Sequence, residues 1–252
     1  MTRQSSFGLN SCALHILAMA LMLCDHIWAM FPVADWMTCI GRLAFPIFAF
    51  MIAEGYAHTA NVKKYLLRML VFALLSEIPF NLVAGGTIFY PYHQNVLWTF
   101  LIALGTMVLS DKIRTRFSDR RPVAVSCTVL LVMAAFLLGT ITMVDYYGAG
   151  VLTVLVFHYF RGNKWHLRLT QLCALAVLHV GILGGYYFTV HIGNLELEIV
   201  QQGLALFALL PIWLYNGRQG YHAKPFRYFC YAFYPLHLLL LYCIWFIGSA
   251  AA

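Results

Sequence analysis

Long apolar runs, broken by short polar stretches, set the pattern of this chain. Nine such runs stand out, at roughly 10–31, 38–57, 65–84, 95–110, 122–142, 148–160, 168–188, 196–215 and 228–248. Crossing the hydrocarbon core of a bilayer takes about 20 mostly apolar residues in a helix. Only helices or closed barrels satisfy every backbone group there. Barrel strands alternate apolar and polar residues, and these runs do not, so they predict helices. The pattern predicts an all-α integral membrane protein with about nine transmembrane helices. The sixth run is the shortest. The first is too long for a signal-peptide core and is expected to be retained. The connecting stretches are short and none is rich in Ser, Gly or Pro, which predicts a single polytopic membrane domain over 1–252.

Composition agrees with the pattern. The 252 residues are 62% hydrophobic and 10% charged, with a mean hydropathy of +0.78. Soluble domains carry roughly 25% charged residues. Seven cysteines are scattered through apolar runs without a C-x-x-C pair, so they are expected to be small buried hydrophobes. No metal-ligand cluster is expected.

Charge adds orientation. Arg3 precedes the first run. Lys63, Lys64 and Arg68 follow the second, and Lys112, Arg114, Arg116, Arg120 and Arg121 follow the fourth. Arg161, Lys164 and Arg168 follow the sixth, and Arg218, Lys224 and Arg227 follow the eighth. The intervening loops, around 32–37, 85–93, 143–147 and 189–195, hold no Lys or Arg. Every basic residue except Arg42 therefore falls on one side. The positive-inside rule makes that side cytoplasmic, with the N-terminus inside and the C-terminus outside. The net charge of +7 is mostly this orientation signal and gives little support to a nucleic-acid partner.

Arg42 lies within the second run, in "CIGRLAFPIF". A charge in hydrocarbon costs about 2.5–3.5 kcal/mol on insertion scales, so it should face a partner or a cavity. Other costly groups recur at similar depth: Asp25 and His26 in "MLCDHIW", Glu77 in "LLSEIPFN", Gln94 and Asn95 at the start of the fourth run, and His237 in "FYPLHLLLLY". Together they suggest a hydrated site open toward the outside. Successive helix residues point about 100° apart, so Asp25 and His26 need not serve each other. Asp25 is expected to pair with Arg42 and leave His26 free. His26 shares a helical stripe with Met22, Met19 and His15, which would line a passage toward the cytoplasm. The bland alternative is a packing stripe in which His26 donates to a carbonyl. A second polar set, Glu54 and His58 with Lys63, Lys64 and Arg68, reads either as interfacial snorkelling or as an entry site for an anionic cytosolic cofactor. His179, in "AVLHVGILGG", is expected to make a core hydrogen bond.

The segments "LMLCDHI", "GRLAFPIFAFMIAEG", "LLSEIPFN", "QNVLWT", "VDYYGAG", "LPIWLYNG" and "FYPLHLLLLY" together resemble the TraX family, and the resemblance covers nearly the whole chain. That family is named for a conjugative-plasmid protein that acetylates the N-terminus of pilin. It looks related to polytopic acyltransferases that move acetyl groups from cytosolic acetyl-CoA to acceptors across the membrane. The resemblance implies an acetyl-CoA-dependent acyltransferase of the bacterial inner membrane. Its acceptor would be a pilin N-terminus or a cell-surface glycan, lipid or peptide. The matched family positions are chiefly Asp25, His26, Arg42 and His237.

For such chemistry a base must take a proton from the attacking group, and a positive group must stabilise the oxyanion. His26 is cast as base or transient acyl carrier, Asp25 as the group that sets the polarity of the site, and Arg42 as its partner or the oxyanion stabiliser. His237 is the second candidate base. Glu77, Gln94 and Asn95 would position the acceptor. Lys63, Lys64 and Arg68, with Glu54 and His15, would hold acetyl-CoA. A proton-coupled transporter or channel uses similar intramembrane groups and is the competing expectation, although no internal repeat of the kind transporters often carry is visible.

Overall fold

A computed structural model describes residues 8–192, 195–221 and 223–250. It is mostly helical. Among the described residues seven helices are long and apolar enough to cross a membrane: Ser11–Met30, Trp36–His58, Val62–Gly85, Val96–Arg116, Arg121–Ile141, Trp165–Leu183 and Lys224–Ala250. Two shorter apolar helices, Tyr147–Tyr159 and Gln201–Trp213, fall on the expected sixth and eighth runs. The chain divides into two compact units, Met1–Met51 with Gly162–Ala252, and Ile52–Arg161.

The first unit is built on α1 (Ser11–Met30), α2 (Trp36–Gly41) and the start of α3 (Ala44–His58). Asn10 starts α1 in extended conformation, its side chain accepting from the Ala13 N–H at 2.9 Å. That satisfies one of the four donors a helix start leaves open. A break at Arg42 and Leu43 separates α2 from α3. The unit is completed by residues after 162. Helix α8 (Trp165–Ala176) runs into a π-helical segment, Val177–Leu183. A 3₁₀ segment, Gln201–Ala208, leads into α9 (Leu209–Trp213), and α10 (Lys224–Ala250) packs on α1. Leu14, Ala18, Ile47, Leu175, Leu209 and Leu238 are buried within it.

An antiparallel β-ribbon interrupts this helical unit. β1 (Tyr187–Ile192) pairs with β2 (Leu195–Val200), in a register that sets Tyr187 opposite Val200 and Ile192 opposite Leu195. This corrects the all-helical reading, which gave 187–188 to the seventh span and 196–200 to the eighth. The sequence explains it. "YFTVHI" and "LELEIV" are rich in β-branched and aromatic residues, alternate in part, and flank a Gly-Asn pair, a two-residue hairpin signal.

The second unit comprises the end of α3, α4 (Val62–Gly85), α5 (Val96–Arg116), α6 (Arg121–Ile141) and α7 (Tyr147–Tyr159). Asn61 and Asn95 cap α4 and α5, accepting from the Lys64 and Leu97 N–H groups. Gly86, at φ 66°, takes the left-handed conformation that ends α4. The short α7 is the most enclosed element, with Val151, Val154, Leu155 and Phe157 all buried. A Cβ on Gly139 of α6 would lie 3.2 Å from the Gly148 Cα of α7, so small residues allow these two backbones to approach closely.

Candidate functional site

In the first unit four helices and the 3₁₀ segment bring polar groups together. Asp25 and Arg42 form an ion pair, with side-chain exposures of 16% and 22%. Thr38, one turn before Arg42, donates its hydroxyl to Asp25 Oδ1 at 2.8 Å and accepts from Arg42 Nη2 at 3.1 Å. Arg42 Nε donates to the Thr38 carbonyl at 3.3 Å. Arg42 Nη1 lies 3.5 Å from Gln202 Oε1, and Gln202 Nε2 donates to Nδ1 of the buried His179 at 2.9 Å. The break between α2 and α3 positions all this: Arg42 follows α2 directly, so its side chain turns back onto the last turn of α2 and across to α1. Gly41 permits the approach, since a Cβ there would strike the Asp25 side chain.

His26 faces α10. Its Nδ1 lies 2.6 Å from His237 Nε2, and the two rings are 4.9 Å apart and nearly parallel. His237 Nδ1 lies 2.7 Å from the Phe233 carbonyl. A carbonyl only accepts, so Nδ1 of His237 carries the hydrogen and its Nε2 is the acceptor when the ring is neutral. The hydrogen between the rings then belongs to His26 Nδ1. This fixes the tautomer of His26 and leaves its lone pair on Nε2, an atom with no hydrogen bond among the described residues.

The structure thus gathers Asp25, His26, Arg42 and His237 into one cluster. His15, further toward the start of α1, donates from Nδ1 to the Ser11 carbonyl at 2.8 Å. The remaining candidates belong to the second unit. Asn95 donates to the Glu77 carboxylate and to the Ala73 carbonyl, the latter at 2.9 Å. Trp98 Nε1 donates to Glu77 Oε2 at 2.8 Å. The Gln94 side chain instead donates to the Pro91 carbonyl at 3.1 Å. Glu54 is held by Arg161 through contacts of 2.5 and 3.1 Å, with His58 3.6 Å away. Lys63 and Lys64 are exposed, and Arg68 stands 6.0 Å from the Tyr65 ring centroid.

Residues missed in the sequence complete both clusters. Thr38 and Gln202 bind Arg42 in the first. In the second, His93 Nε2 lies 3.3 Å from Asp145 Oδ1. The adjoining turn holds Met143, Tyr146 and Tyr147 at φ 52°, 60° and 50°, conformations that cost non-glycine residues energy and are kept only where surrounding structure enforces them. The enforcement is visible: Gln94 N–H donates to the Met143 carbonyl and Asp145 N–H to the Gln94 carbonyl, both at 2.9 Å. The Asp145 carboxylate beside it, aided by Glu77, pushes the His93 pKa above the ordinary 6.5 against the opposing effect of burial. Asp145 stood in view in "VDYYGAG", but nothing in the spacing tied it to His93.

The TraX protein family matches residues 11–245. The chain belongs to the TraX family. The probable fimbrial assembly protein FimC, serogroup H1, of Dichelobacter nodosus is similar to this TraX-family chain, at 26% identity over 243 residues that cover 90% of this chain and 92% of the relative. No solved structure matches it. Membership thus spans both clusters, from Asp25 to His237.

Proposed function

We propose that this TraX-family protein is an acyltransferase that moves an acetyl group from cytosolic acetyl-CoA to an amine or hydroxyl beyond the membrane. The observation that carries this reading is the hydrogen-bonded chain from the Phe233 carbonyl through His237 to His26, beside the Asp25–Arg42 pair. A base needs a free lone pair held in a fixed direction, and the chain provides one at His26 Nε2. The acceptor nitrogen or oxygen attacks the thioester carbonyl carbon. His26 takes its proton, the C–S bond breaks, and the imidazolium returns that proton to the departing CoA thiolate. Arg42, anchored by Asp25 and Thr38, supplies the positive charge that an oxyanion requires. The fimbrial name of the relative makes the N-terminal amine of a surface-fibre subunit the leading acceptor.

The same reading places the chain in the bacterial inner membrane with nine crossings, the N-terminus in the cytoplasm and the C-terminus outside. The count turns on the two short helices. If Tyr147–Tyr159 did not cross, Arg161, Lys164 and Arg168 would sit outside, against the positive-inside rule. Acetyl-CoA would then meet the exposed Lys63 and Lys64 on the cytoplasmic side. The test is binding of acetyl-CoA to purified full-length protein, followed by CoA release with a supplied peptide amine, alongside His26→Ala. Binding with His26-dependent release supports the enzyme. Folded protein without affinity for any acyl-CoA overturns it and leaves solute flux in liposomes as the next measurement.

A further inference from the structure

The second unit holds a cavity that the acyltransferase reading does not use. It has a volume of about 780 Å³ and lies along α6, bounded by the last turn of α5 and the end of α7. Its two ends differ in chemistry. At one end are Arg114, in the last turn of α5, and Arg121, the first residue of α6. Neither forms an ion pair among the described residues. Arg114 is braced over the Tyr159 ring, 5.5 Å from its centroid. No side chain caps the start of α6, and its first turn carries no acidic residue, so its positive end adds to the field of the two guanidinium groups. The nearby Ser118 hydroxyl donates to Asp119 at 3.3 Å, and Asp119 does not line the cavity.

Along the other end the lining is apolar. Val125, Val129 and Met133 follow Arg121 at intervals of four residues, so all four share one face of α6. These three are 62%, 52% and 57% exposed. The apolar strip from Val125 to Met133 is about 12 Å long at the helical rise. An apolar strip open to its side suits a chain that enters laterally from hydrocarbon. Two guanidinium groups at its head, without an ion pair among the described residues, suit a phosphate.

We propose that this groove binds an anionic phospholipid, with its phosphate between Arg114 and Arg121 and an acyl chain along the Val125–Met133 strip. A water-soluble phosphate would use the arginines and leave the strip without an occupant. Basic pockets at helix ends favour anionic headgroups by about 1 kcal/mol per guanidinium, so two predict roughly thirtyfold enrichment over a zwitterionic lipid.

The test uses the full chain in phosphatidylcholine nanodiscs containing a minor fraction of phosphatidylglycerol. After extraction and detergent washing, retained lipid is quantified by mass spectrometry. Enrichment of phosphatidylglycerol is expected in the wild type. It should fall to parity in Arg114→Gln/Arg121→Gln and persist in Lys112→Gln, which removes a nearby charge outside the groove. Val129→Trp, which fills the strip and keeps both arginines, should also lower retention. Glycerol phosphate in excess during the washes should not displace the lipid. Equal retention of both lipids, enrichment unchanged in the double arginine variant, or displacement by glycerol phosphate would each overturn the proposal. Monodisperse elution of every variant separates loss of the site from loss of the fold. The readout is bound lipid, so it stands apart from any acyl transfer.

Discussion

His26 and His237, 211 residues apart in sequence, meet through a ring-to-ring hydrogen bond of 2.6 Å, and only one of them keeps a lone pair for chemistry. His237 is committed on both nitrogens, to the Phe233 carbonyl and to His26. The two histidines therefore have unequal roles. His26→Ala should lower CoA release by about 10²–10⁴-fold, the usual worth of a positioned base. His237→Ala frees the His26 ring to rotate and exchange tautomers, and should give a smaller loss with acetyl-CoA affinity unchanged. His237→Gln, which keeps an acceptor toward His26, should recover part of that loss. Equal losses in all three variants would remove the distinction.

The Asp25–Arg42 pair makes a stability prediction. Both side chains are mostly shielded, and removal of one partner leaves an uncompensated charge. Arg42→Met should destabilise the protein by about 3 kcal/mol. Asp25→Asn in the Arg42→Met background should restore much of it, because the stranded carboxylate is gone. The check is thermal unfolding in detergent of both single variants and the double. Additive losses would show that the two residues act independently.

Much of the first cluster was legible in the sequence. A charge within an apolar run demands a partner, and the cost of Arg42 pointed to Asp25. Helical geometry separated Asp25 from its neighbour His26, but His26, expected to be free, is bonded through Nδ1 to His237. The apolar runs also fixed the seven long helices. The β-ribbon was hidden because its strands flank apolar runs, and hydropathy alone blurred "LELEIV" into the following helix. Depth along a span located Glu77 and Asn95 but gave no sideways information. Within the second unit they bond to each other, and Glu77 also to Trp98. Thr38 and Gln202 were invisible because a single Thr or Gln in an apolar run costs little and needs no explanation.

His93 predicts a pH dependence of stability. Its folded-state pKa is raised above 6.5, chiefly by Asp145. A raised value means the folded state binds the proton more tightly than the unfolded chain. The stabilisation is fully present below the unfolded pKa and is lost as pH rises through the folded one. The thermal midpoint should therefore fall as pH increases from the unfolded value into the range above the folded value. His93→Gln and Asp145→Asn should each flatten that part of the profile. A slope that survives in both variants would assign it to another group.

Gly41 offers a test of the geometry that needs no change to a polar residue. A Cβ built there would approach Asp25 Oδ1 to 2.7 Å and its Cγ to 2.8 Å. Asp25 is held by Thr38 and Arg42, which flank Gly41 at the end of α2, so it can retreat from the new methyl group only by giving up those partners. Gly41→Ala should thus cost about 1–3 kcal/mol, as overpacking does, and should lower turnover together with stability. Gly105→Ala is the matched control, with nothing within 4 Å of its added methyl group. In mid-helix it should be neutral or slightly stabilising, because alanine exceeds glycine in helix propensity by up to about 1 kcal/mol. Thermal unfolding and CoA release of the two variants, side by side, decide the matter. If Gly41→Ala matched Gly105→Ala in both, Asp25 would not be held against α2, and the arrangement of base, carboxylate and guanidinium derived from that contact would fail with it.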